Sequence, residues 1–213
     1  MKAKLTIDLL FNMKSDWLVT GATQQHIVDR TPMLDILGRP YLPASTIKGN
    51  VRHQFRKLSG LVDMESYDTY LFGDKGSEQG HLYFDDAELA DPDYDVSQLT
   101  RERKRIALDR KNKVVRDQSL LMEEVAIATL KLKSEITCYV KREDAEKIGA
   151  LLVLSIFNMK RLGSGKSVGR GEVAFKYAGK IVDETDSVVQ LTIDDRDIPF
   201  EEFESIVKEF FTE

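Results

Sequence analysis

Cysteine is almost missing from this chain of 213 residues: Cys138 stands alone, and histidine appears only three times. One thiol excludes an internal disulfide, and no Cys and His cluster at zinc-finger spacing, so neither oxidised staples nor a structural zinc is implied and a reducing cytoplasm fits. Proline (5) and glycine (13) are scarce while 42% of residues are hydrophobic, a balance that supports a substantial core and excludes a disordered composition. Long apolar runs are absent too. Nothing approaches the roughly 18 apolar residues of a membrane span, and Asp8 interrupts the short apolar stretch behind the N-terminus, so neither a signal peptide nor a membrane partner is expected.

Net positive charge is also lacking. The chain carries −5, which at face value argues against nucleic acid, because phosphate neutralisation needs clustered Lys and Arg. The distribution reverses that impression. Residues 43–58 hold Lys48, Arg52, Arg56 and Lys57 with no acid, residues 160–170 hold Lys160, Arg161, Lys166 and Arg170 with no acid, and residues 101–116 hold eight basic side chains against Glu102 and Asp109. The remainder is therefore strongly acidic, and a basic surface forms only if these three segments converge in the fold.

Leu5, Ile7, Leu9 and Phe11 alternate with mostly polar neighbours, which predicts a half-buried strand over 4–11. After Pro43, Ile47, Val51, Phe55 and Leu58 recur at helical spacing, with Ser45 or Thr46 as the expected cap. Gly80 to Phe84 predicts a second strand, and Leu130, Leu132, Ile136, Cys138 and Val140 share one face of a third. A helix is expected from about Glu143 to Leu162, with Lys160 and Arg161 in its last turn and Gly163 as its stop. Val173, Phe175 and Tyr177 predict a fourth strand, Val189 to Ile193 a fifth, and Phe203, Ile206, Val207 and Phe210 a terminal amphipathic helix. This order implies an α+β fold with a ferredoxin-like, RRM-like βαββαβ core over 1–178. Insertions are expected at about 12–42 and 87–129, the second a protruding basic hairpin, and residues 179–213 form a strand and helix extension packed on the core or a partner.

Two segments carry the functional signal. In residues 42–52 a turn delivers the hydroxyls of Ser45 and Thr46 and backbone N–H groups to a helix start, a phosphate-binding geometry. Lys48, Arg52 and Arg56 follow at i, i+4 and i+8 as one basic stripe. A solvated helix face explains that spacing equally, but Gly49, which costs roughly 1 kcal/mol inside a helix, is easier to understand if a ligand backbone or another element approaches closely there. The second segment contains Gly163, Ser164, Gly165, Lys166, Ser167, Gly169, Arg170 and Gly171. Glycines and cations of this kind can wrap a phosphate backbone. A phosphate-binding P-loop is disfavoured, because that motif needs glycine where Lys160 stands and a helix after the loop.

These segments, in this order, resemble the signature of the repeat-associated mysterious protein (RAMP) superfamily of CRISPR ribonucleoproteins. Pro43, Ala44, Ser45, Thr46, Ile47, Lys48 and Gly49 match its first-helix pattern, with Arg52 one position late and Ala44 where glycine is usual. Leu71-Phe72-Gly73, the stretch from Gly80 through Asp85 and Asp86 to Ala87, and the stretch from Ile106 to Arg110 with Glu123 or Glu124 resemble further family segments, the last a thumb-like hairpin.

The subgroup it most resembles is the repeated backbone subunit of type III complexes, which lines up along guide RNA and cuts bound target RNA. That resemblance implies guide-RNA contacts from Ser45, Thr46, Lys48, Gly49, Arg52, Arg56, Arg110, Lys160, Arg161 and the 163–171 loop. It further implies target cleavage with Mg²⁺ or Mn²⁺ at Asp29, with Asp35 as the later loop aspartate and His26 as an auxiliary base. The implied partners are guide and complementary target RNA, other RAMP subunits, a large polymerase-like subunit and small helical subunits. A non-catalytic scaffold paralogue and a guide-processing endoribonuclease of the same superfamily are the alternatives.

Overall fold

The computed structural model describes residues 1–20, 29–74, 76, 78–91, 93–106, 120–180 and 186–212. Its elements run β1 (Lys2–Asn12), α1 (Ala44–Ser59), α2 (Tyr67–Phe72), β2 (Leu82–Phe84), β3 (Glu88–Leu89), β4 (Thr100–Arg105), β5 (Leu121–Ala126), β6 (Lys131–Lys141), α3 (Ala145–Phe157), β7 (Phe175–Tyr177), β8 (Ser187–Ile193), β9 (Arg196–Asp197) and α4 (Phe200–Thr212). The main sheet has the order β2-β6-β1-β8-β7, with β3 joined to β6 and β9 to β8.

Period-2 alternation accounts for the layers. Ala3, Leu5, Ile7, Leu9 and Phe11 of β1, the even-numbered residues of β6 from Leu132 to Val140, and Val189 and Leu191 of β8 are all buried toward the helices. The neighbours of α3 include α1, α4, β1 and β8, and nine of its thirteen residues are buried. Cys138 belongs to this layer, and burial pushes its thiol up to about 12, so it packs as an apolar group.

The opposite face of the sheet carries an acid-lined cavity. Asp8, Asp85, Asp86, Glu88 and Glu135 line a cavity of about 730 Å³ with Lys133 and Gln190. Burial, then Glu135 and Asp197, raise the Asp8 carboxyl above its ordinary range.

Two expectations need correction. The strand beside β1 in the position of the fourth ferredoxin strand is β8, which pairs antiparallel with β1 from Leu5↔Ile193 to Leu10↔Val188. Phe175–Tyr177, expected there, instead lies parallel on the far side of β8. A boundary at 178 therefore passes between two strands of one sheet. The second correction concerns α3, which ends at Phe157 rather than Leu162. Met159 and Leu162 continue the helical apolar spacing, but their burial comes from an extended neck, closed by Leu162 N–H to Gly171 C=O (2.8 Å) and Val173 N–H to Lys160 C=O (3.0 Å). Lys160, Arg161 and Gly163 thus follow the helix instead of ending it.

Candidate nucleic-acid interface

Ile47, Val51, Phe55 and Ser59 are the buried residues of α1, which leaves Ser45, Lys48, Gly49 and Arg52 on other faces. Its N-cap is Pro43 with no side-chain cap, so neither Ser45 nor Thr46 caps it as expected. Instead Asp86 reaches across from behind β2, and its Oδ1 accepts from Ala44 N–H at 2.6 Å. Thr46 and Ile47 N–H both turn back to the Pro43 carbonyl. The helix start therefore offers its hydroxyls more than its amides, which corrects the expectation of several free N–H groups there.

The glycine-rich segment meets this helix. Gly165 and Gly169 adopt left-handed backbone on either side of a 3₁₀ turn at Lys166–Val168. Ser164 donates from both its N–H (2.7 Å) and its hydroxyl (3.0 Å) to Leu18 C=O. A Cβ on Gly163 would stand 2.4 Å from that same carbonyl oxygen, so only glycine lets the two chains approach so closely. Lys166 Nζ then donates to Asn50 Oδ1 on α1 at 2.8 Å. Ser45, Thr46, Gly49 and Asn50 from α1, Thr20, and Gly163 and Ser164 from the loop line one shallow cavity of about 350 Å³. Two of the three basic segments converge here, and Ser167 and Gly169 are exposed on the same loop.

The third segment is stitched to this wall at its base. β4 and β5 form an antiparallel pair from Thr100↔Ala126 to Arg105↔Leu121. Trp17 N–H and C=O both bond Ala126, and Gly171 N–H bonds Asp16 C=O. Arg110 lies outside the described residues.

Not every expected contact residue faces the groove. Arg52 donates to Asp68 of α2 (2.7 to 3.2 Å) and to Gly73 C=O, and Arg56 donates to the same carboxylate at 2.8 Å. Burial raises the Asp68 carboxyl, but these two guanidinium groups outweigh it and hold it below its ordinary range. Both arginines brace α1 against α2, whereas no ion pair among the described residues holds Lys48. Arg170 is buried and donates to Glu123 of β5 at 2.6 Å. Its guanidinium is thereby tied to β5 inside the fold. Arg161 donates to Lys166 C=O within the loop, and Lys160 is exposed beside it.

Asp29 and Asp35 stand apart in role. Asp29 is exposed and runs alongside β5, with its N–H on Met122 C=O (2.9 Å) and its Oδ2 accepting from Met122 N–H (2.7 Å). Asp35 closes a turn: Oδ1 accepts from Leu37 and Arg39 N–H, and Oδ2 from Arg39 Nε at 2.7 Å. Although its burial works the other way, the Arg39 backbone and guanidinium hold it below the usual carboxylate range. Its oxygens are committed locally. His26 lies outside the described residues. No group of three or more potential metal ligands forms among the described residues. A lone carboxylate such as Asp29 suits Mg²⁺ or Mn²⁺ where phosphate oxygens and waters complete the shell.

Asp16 did not stand out in the linear pattern, and the partners of Asp86, Asn50 and Arg30 were hidden there because each is remote in sequence. The one available signal was Arg101, Arg103 and Arg105, whose two-residue spacing puts three cations on one face of a strand.

Comparison with known proteins agrees with this architecture. The RAMP superfamily model matches residues 11–174. A chain in a structure of the Type III-B Cmr-beta bound to cognate target RNA has a similar fold, with a TM-score of 0.64 and 14% identity, covering 78% of this chain and 94% of that one. A chain of the Type III-B Cmr-beta in its apo state gives a TM-score of 0.62 and 14% identity, covering 78% and 95%. No curated protein matches the sequence.

Proposed function

The chain belongs to the RAMP superfamily, and from that premise we propose that it is an RNA-binding backbone subunit of a type III CRISPR effector. The observation that carries the reading is the meeting of α1 and the glycine-rich loop in one groove, joined by Lys166 and Asn50 at 2.8 Å. Guide RNA lies along this groove, with Ser45, Thr46, Lys48, Lys166 and Ser167 against its phosphates. Such contacts position a strand without reading its bases, and sequence is read by pairing between guide and target. The hairpin based on β4 and β5 packs between the two RNA strands, and neighbouring RAMP subunits, the large subunit and the small helical subunits complete the complex. Lys48→Ala with Lys166→Ala in the assembled complex is expected to release guide RNA at moderate salt, read by co-purified RNA. Full guide retention would refute the groove.

Target cleavage is the finer part of the reading. Asp29 presents a carboxylate beside β5 where it can hold a divalent cation against a target phosphate or accept the proton of the adjacent ribose 2′-hydroxyl. A bound Mg²⁺ or Mn²⁺ would supply charge neutralisation at that phosphate. Asp29→Ala is expected to abolish cleavage, as is EDTA, while Asp35→Ala is expected to leave it and loosen the turn at Arg39. The bond from Met122 N–H to Asp29 favours a second reading, a non-catalytic scaffold in which this carboxylate only braces β5. Undiminished cleavage by Asp29→Ala would select it.

A further inference from the structure

Two buried carboxylates at the hairpin base face more cations than they neutralise. Asp16 Oδ2 accepts from Arg101 (2.8 and 2.5 Å) and from Arg103 (2.6 Å). Glu123 meets Arg170 at 2.6 Å, Arg105 at 3.5 Å and Arg30 at 3.6 Å. Burial raises the Glu123 carboxyl, but Arg170 and then Arg105 outweigh it, so it stays ionised. The Asp16 and Glu123 side chains are 3% and 0% exposed, whereas those of Arg30, Arg101, Arg103 and Arg105 are 52%, 55%, 45% and 44% exposed. Asp16 thus hydrogen-bonds the guanidinium groups of Arg101 and Arg103, Arg105 and Arg30 stand at ion-pair distance from Glu123, and the five N–H donors of each leave others not taken up by these carboxylates. Two anions against five cations leave an excess of three positive charges.

The spacing is that of a strand. Arg101, Arg103 and Arg105 face Val125, Glu123 and Leu121 across the ladder. Successive arginines on one face lie about 6.6–6.8 Å apart along it, comparable with successive phosphates of a single nucleic-acid strand. Arg30 joins from the next segment, where Glu124 N–H bonds Arg30 C=O at 2.8 Å, and Asp29 precedes it in the chain.

We propose that Arg30, Arg101, Arg103 and Arg105 form a phosphate ladder for the RNA strand that passes Asp29, and that Asp16 and Glu123 are positioning residues that hold its rungs. This rests on the RNA-binding reading above and adds a second track, distinct from the groove between α1 and the glycine-rich loop. The positioning role makes a prediction opposite in sign to simple electrostatics. Removing a negative charge strengthens RNA binding if only the net field matters, but weakens it if that charge orients the guanidinium groups.

Binding of a fluorescein-labelled oligouridylate by the full chain, read as anisotropy over a salt series, tests this. Arg103→Ala with Arg105→Ala lowers the slope of log K against log salt by about 1.4, at about 0.7 for each single-strand phosphate contact. Glu123→Gln and Asp16→Asn weaken binding about threefold or more despite gaining positive charge. Glu123→Gln also strands Arg170 and lowers thermal stability, so Arg103→Lys, half-exposed and charge-conserving, provides the independent arm. Loss of the planar fork weakens binding about fivefold. Wild-type binding by Arg103→Lys, or tighter binding by Asp16→Asn, overturns the proposal. Lys48→Ala separates the two readings: if it alone weakens binding the groove stands and the ladder falls, and if only the ladder variants weaken it the groove falls.

Discussion

Two glycines of the same loop separate the cost of left-handed backbone from the cost of close approach. Gly169 (φ +83°) has nothing within 4 Å of where a Cβ would stand, whereas a Cβ on Gly171 (φ +66°) would lie 1.8 Å from the Leu162 carbonyl oxygen. Gly169→Ala therefore incurs only the backbone penalty, about 1–2 kcal/mol. Gly171→Ala incurs that and must also part the neck, losing the 2.8 Å bond from Leu162 N–H to Gly171 C=O. With Leu162 buried, the orphaned amide adds about 1–3 kcal/mol. At about 2–4 °C per kcal/mol for a chain of this size, the midpoint of Gly171→Ala should fall about 2–12 °C below that of Gly169→Ala. Thermal unfolding followed by circular dichroism in one buffer measures both. Equal midpoints would refute the reasoning, since they would mean the neck yields to a methyl group without loss.

Other substitutions probe the supports of the groove. Asp86→Ala removes the acceptor for Ala44 N–H and should cost about 0.5–2 kcal/mol, read by urea denaturation. Asp68 is held below its ordinary range, so the stability it contributes is complete above the unfolded value near 3.9 and disappears as pH falls through the lower folded value. Asp68→Asn should accordingly destabilise at pH 7 by roughly 1–2 kcal/mol and flatten the acid limb of a stability profile below about pH 4. Asp8 has the opposite shift, so its charge opposes folding once pH rises above the ordinary carboxylate value. Asp8→Asn should raise the melting temperature at pH 7 and leave it unchanged near pH 3, where both states are protonated; a lower melting temperature at pH 7 would contradict the assigned shift.

The main layers were legible because their signals are local. β1 announces itself through four alternating apolar residues, Leu5, Ile7, Leu9 and Phe11, and α1 through Ile47, Val51 and Phe55. The end of α3 was not legible, because Met159 and Leu162 keep a helical spacing while being buried by a different geometry. Strand order failed for a related reason: Phe175–Tyr177 and Ser187–Ile193 both alternate, and only pairing with β1 tells which is central. The two segments that meet in the groove, the start of α1 and the glycine-rich loop, stood out in the sequence through their hydroxyls, glycines and cations. The burial of Arg170 was hidden, since its partner Glu123 lies 47 residues earlier in the chain.

The middle position of β1 sets the order of events when this protein is made. Both of its neighbours arrive late, one at residues 131–141 and the other at 187–193. The first strand leaves the ribosome long before either, and the sheet cannot close around it until Ile193 has followed. Folding dominated by such distant pairings is slow, and an early apolar strand waiting for partners is open to aggregation. Closure of the main sheet, and with it full burial of the β1 face that packs against the helices, thereby waits until β8 has emerged.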